Sequence, residues 1–353
     1  MAHHCQRARS VSRTTRERQD ETVTLPRLTD LLASVHVVAL PLTTRFRGVD
    51  VREVALWDGP HGWTEFSPFL EYDDAESSAW LAAALDFGWS PTPPAVTARV
   101  GVNATVPAVT ADRVGDVLAR FPGCRTAKVK VAEPGQTLAD DVARVRAARD
   151  VLGAEGRVRI DANGAWNVDE AERALHALAE FDLEYAEQPC ATVDELAQLR
   201  RRVADWDIPI AADESVRKAD DPLAVARAGA ADLLVVKVQP LGGIPSARRI
   251  VAEAGLPVVV SSALESSIGL SMGLALAASL DGLDLDCGLG TAALLARDVV
   301  TDPLIPTDGS LAVGRLTPDA GLLAELAAAP ARVDWWRARV ERCYALLQRG
   351  AQI

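Results

Sequence analysis

The chain has 353 residues and a formal charge of −12, from 37 basic and 49 acidic side chains. Hydrophobic residues make up 49% and aromatic ones only 5%, so a large core must be built mostly from Ala, Leu and Val. This balance argues against a nucleic-acid binder that relies on phosphate neutralisation, yet it leaves room for a small anionic substrate at a locally positive site.

Residues 1–24 carry five Arg, three acidic residues and no apolar stretch, so they are expected to be a disordered extension and not a secretory signal. Residues 25–96 are predicted to form an α+β capping domain. Its β-type runs are Val35–Leu40, Val51–Trp57 and Trp63–Phe66, and the turn Asp58-Gly59-Pro60-His61-Gly62 makes the last two a hairpin. An Ala-rich helix follows at about Ala75–Phe87, then a Pro-rich linker from Trp89 to Pro94.

From 97 to 296 the chain alternates. The β-type runs are Ala98–Val102, Thr126–Val131, Val158–Asp161, Leu183–Glu187, Ile208–Ala212, Leu233–Val238, Leu256–Ser261 and Leu283–Cys287. Helical spacing fills Leu138–Leu152, Val168–Glu180, Val193–Val203 and Gly243–Ala254. Strand ends near 130, 161, 187, 213, 237 and 261 lie 24 to 31 residues apart, room for one strand and one helix. Such repeats demand parallel strands, and eight of them favour a closed barrel over an open sheet. The Gly-rich loop of a doubly wound sheet is missing after Val102, where Asn103-Ala104-Thr105-Val106-Pro107 follows. Ser266–Leu280 is free of charge but is short of the ~20 residues of a membrane span, and it reads as a buried helix. Residues 297–353 loosen into loop and strand and end in a helix at about Trp335–Gln348, expected to complete the cap. Five scattered cysteines without a C-x-x-C pair suggest neither disulfides nor zinc, and a cytoplasmic location is expected.

Strands buried on both faces should be almost wholly apolar. Five consecutive strands here end in charge instead: Lys128 and Lys130, Asp161, Glu187, Asp213, Lys237. In a parallel barrel these ends form one rim, where active sites sit. Lys128 and Lys130 share a face, as do Arg159, Asp161 and Asn163. Asp161, Glu187 and Asp213 offer only oxygen ligands, which suit a hard cation such as Mg²⁺, with Mn²⁺ as a substitute. Glu214 falls on the opposite parity and is expected to partner a lysine or hydroxyl. Lys130 and Lys237 would flank the metal from opposite sides. A lysine acts as a base only when its pKa falls, and a neighbouring cation lowers it. A metal beside an ammonium base suggests removal of a proton α to a carboxylate. A Schiff-base aldolase would also use a barrel lysine but leaves three carboxylates in register unexplained.

Taken together, Lys128-Val129-Lys130, Asp161-Ala162-Asn163-Gly164, Glu187-Gln188-Pro189, Asp213-Glu214-Ser215, and Lys237 before Gln239-Pro240 resemble the enolase superfamily, in its muconate-lactonizing subgroup. The resemblance covers 25–353 and implies a modified (β/α)7β TIM-like barrel with an α+β cap. Within the subgroup the chain is most similar to actinobacterial o-succinylbenzoate synthases. The segments that carry this likeness are Phe46-Arg47-Gly48, Gly62-Trp63-Thr64-Glu65-Phe66-Ser67-Pro68-Phe69, Glu71-Tyr72-Asp73-Asp74, Val102 to Pro107, Ser261 to Ser267 and Cys287 to Thr291. The implied reaction is Mg²⁺-dependent syn-dehydration of 2-succinyl-6-hydroxy-2,4-cyclohexadiene-1-carboxylate to o-succinylbenzoate, for menaquinone synthesis. It implies Lys130 as acid/base, Lys237 opposite it, and Asp161, Glu187 and Asp213 as ligands.

Ser262 and Gly288, at the last two strand ends, are candidates for the succinyl carboxylate. Arg159 is either a substrate contact or a buried partner for a carboxylate. Loops near 43–50 and 66–74 are expected to close over the substrate, while Trp63 and Phe66 pack the cap. An N-acylamino acid racemase or dipeptide epimerase on the same scaffold would suit two opposed lysines equally. A non-catalytic binding homologue fits an intact lysine and carboxylate set poorly.

Overall fold

The computed structural model describes residues 25–46, 48–217 and 221–350. The expected disordered extension, 1–24, and Arg47 lie outside them.

A short helix, α1 (Leu28–Ser34), leads into a three-stranded antiparallel sheet: β1 (His36–Phe46), β2 (Val49–Gly59) and β3 (Gly62–Phe66). The β2–β3 hairpin turns where the sequence places Gly59 and Gly62, which face each other in register. Gly59 has a packing reason as well. A Cβ there would lie 2.3 Å from the carbonyl oxygen of Gly88, at the end of α2 (Asp74–Trp89). Asp73 caps α2 by accepting from the Glu76 amide at 2.8 Å. Phe66 meets Trp336 edge-on at 5.6 Å, in a cluster with Trp57 and Trp80 that closes the cap core.

After the linker, β4 (Arg99–Gly101) corrects the sequence reading. It pairs antiparallel with a strand of the C-terminal segment, Ser310–Ala312, and is not a barrel strand. The first barrel strand is β5 (Ala104–Val106), which the sequence reading took for the following loop. Three residues with a polar Thr105 at the centre carry too little β-pattern to recognise. The parallel sheet continues through β6 (Thr126–Lys130), β7 (Arg157–Asp161), β8 (Leu183–Glu187), β9 (Ile210–Ala212), β10 (Leu233–Val236) and β11 (Val258–Val260).

The eighth position is held by single bridges at Cys287 and Gly288. Cys287 donates to Gly101 O and accepts from the Asn103 amide, while Gly288 donates to Val260 O. The curled sheet thereby closes on residues 101–103, immediately ahead of β5.

The intervening helices are α3 (Val114–Leu118), α4 (Leu138–Leu152), α5 (Val168–Leu178), α6 (Val193–Arg202), α7 (Glu214–Arg217), α8 (Ala224–Arg227), α9 (Ile244–Ala254) and α10 (Ser267–Ala278). Reciprocal capping boxes at Thr137, Asn167 and Thr192 start α4, α5 and α6. Every residue of α10 is buried, as the charge-free run predicts. No helix among the described residues is long and apolar enough to cross a membrane. The chain ends in α11 (Ala320–Glu325) and α12 (Pro330–Gly350), the latter packed along α2.

Candidate active site

Strand register assembles the charges. Lys130 pairs with Asp161, and Asp161 pairs with Glu187, so three charged strand ends stand side by side. Asp213 follows β9 and Lys237 follows β10 on the same rim. Ala127, Val129 and Ile160 alternate outward into the helix-packed core. None of Lys128, Lys130, Asp161, Glu187, Asp213 and Lys237 is more than 8% exposed.

The lysines hold the carboxylates. Lys128 Nζ lies 2.8 and 3.0 Å from the two Glu187 oxygens and 3.1 Å from Asp161 Oδ2. Lys130 Nζ lies 2.5 Å from Asp161 Oδ2 and 2.8 Å from Asn163 Oδ1. Lys237 donates to Asp213 Oδ2. The cap covers this set, with the Phe46 ring 5.4 Å from Lys130 Nζ.

The two lysines of the K-x-K pair differ electrostatically. Burial opposes the Lys128 ammonium, but Glu187 and Asp161 outweigh it and hold its pKa well above the ordinary value. Burial, helped by the Lys128 charge, lowers Lys130 despite Asp161. Of the pair, Lys130 gives up its proton more easily. Burial and the neighbouring Asp161 push the Glu187 carboxyl up to about 7. Asp213 is held low against burial by Lys237 and Arg217.

Burial, Asp161 and Asp213 raise the proton affinity of Glu187, while the lysines hold Asp161 and Asp213 low, so the set has three buried carboxylates on adjacent strands. All the donors are hard oxygens, which fits a divalent ion of the magnesium type. Asp161, Glu187 and Asp213 could hold it if the lysine ammoniums on their oxygens moved aside; as placed, no three Asp, Glu, His or Cys side chains among the described residues are gathered around an ion site.

The cleft above these charges is lined by Lys128, Lys130 and Lys237 on the barrel and by Phe46 and Phe69 from the cap. Its uncharged wall includes Ser262, Gly288 and Thr291. Ser262 Oγ donates to Gly288 O at 2.7 Å, so the Thr291 hydroxyl, 2.8 Å away, donates to Ser262 in turn. Gly288 is small of necessity, since a Cβ would stand 2.4 Å from Ser261 Oγ.

Two expectations need correction. Arg159 does not line the cleft. Its Nε donates to Glu184, and its Nη1 lies 3.1 Å from Asn103 Oδ1 and 2.6 Å from Asp286 O, over the Tyr185 ring. The β7–β8 register skips Glu184, and this bulge turns its carboxylate to Arg159 one layer beneath the site. Of the two sequence readings, the buried carboxylate partner is the one seen, with Glu184 as the carboxylate.

Among the described residues, Glu214 partners neither a lysine nor a hydroxyl. The strand stops at Ala212 and α7 begins at Glu214, so strand parity no longer applies. Its Oε1 instead accepts from Asn163 Nδ2 at 3.3 Å and from Arg217 Nη2 at 2.5 Å.

Sequence reasoning missed Thr291, Gln188, Arg217 and the barrel contact of Tyr72. Gln188 Oε1 accepts from the amides of Asp213 and Ser215 at 2.9 and 3.2 Å, which fixes the turn carrying Asp213. Its place directly after Glu187 was a signal that went unused.

Comparison with known proteins shows the family of the chain. An enolase C-terminal domain-like family matches residues 110–328, and an enolase N-terminal domain-like family matches 37–88. The chain is 58% identical to o-succinylbenzoate synthase of Mycobacterium leprae (strain TN) over 324 residues, covering 92% of this chain and 95% of that one. It is 57% identical to the synthase of Mycolicibacterium smegmatis, over 92% of this chain and 99% of the other. Among solved structures, muconate lactonizing enzyme from Pseudomonas fluorescens superposes with a TM-score of 0.71 at 21% identity, covering 84% of this chain and 98% of the other. An N-succinyl Arg/Lys racemase from Bacillus cereus gives 0.69 at 18%, covering 84% and 97%. These structural likenesses show the fold. The chain belongs to the enolase superfamily and, within it, to the o-succinylbenzoate synthase family of lyases.

Proposed function

We propose that this protein dehydrates 2-succinyl-6-hydroxy-2,4-cyclohexadiene-1-carboxylate to o-succinylbenzoate, a step toward menaquinone, with Mg²⁺ held by Asp161, Glu187 and Asp213. The observation that carries the reading is the placement of Lys130 and Lys237 around one cleft above three carboxylates, in a chain 58% identical to such synthases.

The lowered proton affinity of Lys130 suits it to take the proton α to the ring carboxylate. The C–H electron pair then moves into the carboxylate, giving an enediolate. When bound, the cation supplies positive charge against the two negative oxygens of that enediolate. The electron pair returns to expel the ring hydroxyl, and Lys130, now an ammonium, protonates it on the same face. One water leaves, the ring becomes aromatic and Lys130 is again neutral. Lys237, which donates to Asp213, faces the developing charge from the other wall. The succinyl carboxylate is assigned to the Ser262, Gly288 and Thr291 wall, where it would take over hydroxyl protons now given to Gly288 O and Ser262 Oγ.

The test is purified protein with Mg²⁺ and the cyclohexadiene substrate, followed by loss of diene absorbance. Efficient turnover is expected. No turnover, combined with rapid α-proton exchange on N-succinyl amino acids, would assign the two lysines to a racemase.

A further inference from the structure

The guanidinium of Arg217 occupies a junction that the reaction scheme above does not use. It is 6% exposed and donates in three directions. Nε lies 3.0 Å from Asp213 Oδ1, Nη2 lies 2.5 Å from Glu214 Oε1, and Nη1 lies 3.1 Å from the hydroxyl of Tyr72 in the cap. The first contact fixes the carboxylate whose other oxygen, Oδ2, faces Lys237. The second continues through Asn163, which accepts from Lys130 Nζ at 2.8 Å. The third crosses from barrel to cap.

Tyr72 lies between β3 and α2, three residues after Phe69, which lines the cleft. The two rings pack edge-on at 5.5 Å, and Tyr72 also packs on Trp80 at 6.0 Å. Arg339 of α12 donates to the carbonyls of both Phe69 and Tyr72. Phe69 and Tyr72 therefore form one packed unit. A continuous set of contacts thus runs from Phe69 in the cleft through Tyr72 to Arg217.

A planar fork with donors fixed in three directions can serve three acceptors at once, which a lysine cannot. We propose that Arg217 is a positioning residue that couples the cap, through Tyr72, to the orientation of the cation ligand Asp213 and, through Glu214 and Asn163, to Lys130. This rests on the reading of Asp213 as a ligand. It leaves the identity of the substrate open.

The test is Mn²⁺ titration without substrate, followed by the paramagnetic resonance of free Mn²⁺, on the full-length wild type, Arg217→Lys, Tyr72→Phe and the double variant. Melting temperatures are recorded alongside. Arg217→Lys is expected to weaken Mn²⁺ binding about 10- to 100-fold, as is typical when a group supporting a ligand is lost. Tyr72→Phe removes a single hydroxyl and keeps the ring packing, so it should fold even if Arg217→Lys does not. It is expected to weaken binding about 3-fold, because the lost hydrogen bond from Arg217 Nη1 acts on Asp213 only indirectly. The double variant should be no weaker than Arg217→Lys alone, because Tyr72 acts through Arg217.

Wild-type affinity in Arg217→Lys, or additive losses in the double variant, would overturn the proposal. So would unchanged affinity in Tyr72→Phe. A wild type that binds no Mn²⁺ would remove the cation reading itself. A wild type that binds Mn²⁺ but does not turn over the diene would leave this inference standing and remove the substrate assignment.

Discussion

The upper layer of the barrel interior, at Lys130, Asp161, Glu187, Asp213 and Lys237, and the layer beneath it, at Asn103, Arg159 and Tyr185, are equally dry. Both hold ionised groups on neighbouring strands. Below, Arg159 meets Glu184, Asn103 and the Asp286 carbonyl, and Thr126 meets Asp286 at 2.5 Å. Apart from Arg159 Nη2, which has no hydrogen-bond partner among the described residues, that layer is paired within itself, and it does not line the cleft above. Above, burial and the neighbouring Asp161 push Glu187 up toward 7, and the lysines line a cleft. Buried charge alone therefore does not mark a site. A buried set that is still in tension, and that opens on a cleft, does.

The largest expected effect that divides the layers comes from the upper one. Glu187→Gln should abolish cation binding and lower the dehydration rate by about 10³-fold, corresponding to several kcal/mol of transition-state stabilisation. Chelation of the wild type should do the same, with rescue by added Mg²⁺. Activity that survives both would place the cation elsewhere.

The lower layer should answer in stability instead. Arg159→Met leaves Asn103 Oδ1 and the Asp286 carbonyl without their donor in a dry interior and leaves Glu184 with Arg157, and unfolding free energy should fall by about 3 kcal/mol. At temperatures where the variant stays folded, kcat should remain within about threefold of wild type. A large loss of kcat at unchanged stability would return Arg159 to the reacting site.

A third sealed cluster, at the seam of cap and barrel, provides a pH test. Glu65 of β3 accepts from the Ser266 and Gly269 amides at the start of α10, at 3.1 and 3.2 Å. Burial and the nearby Glu265 push its carboxyl up to about 7 from 4.5. A raised carboxyl holds its proton longer in the folded state than in the unfolded one, so stability falls as pH rises through that window. The stability of wild type relative to Glu65→Gln should decline between pH 4.5 and 7, by on the order of 3 kcal/mol, and level off above. A difference that grows with pH would mean that the helix terminus and Arg52 dominate instead.

What was legible in the sequence follows from where the signals are local. Residues 126–130 and 157–161 pair β-type runs with charges at fixed parity, so the shared face of Lys128 and Lys130 and the rim position of Asp161 could be read directly. The hairpin at Gly59–Gly62 and the buried helix after Glu265 were equally plain, the one from turn chemistry and the other from a charge-free run. The first barrel strand was misplaced because Arg99–Gly101 looks more strand-like than Ala104–Val106, and only the C-terminal strand at 310–312 explains why it pairs elsewhere. Arg159 was ambiguous because parity gives a face and does not give a depth. Glu214 was misjudged because nothing local shows that the strand stops two residues earlier. Arg217 and Tyr72 lie 145 positions apart, and nothing in either segment points to the other.

The central claim is that Lys130 is the base and the carboxylates are the cation site, two functions on one rim. It is tested most directly by measuring dehydration rate and Mn²⁺ affinity on the same preparation of Lys130→Ala. The account predicts a rate lower by about 10³-fold or more with cation affinity within a few-fold of wild type. A near-normal rate in Lys130→Ala would contradict it.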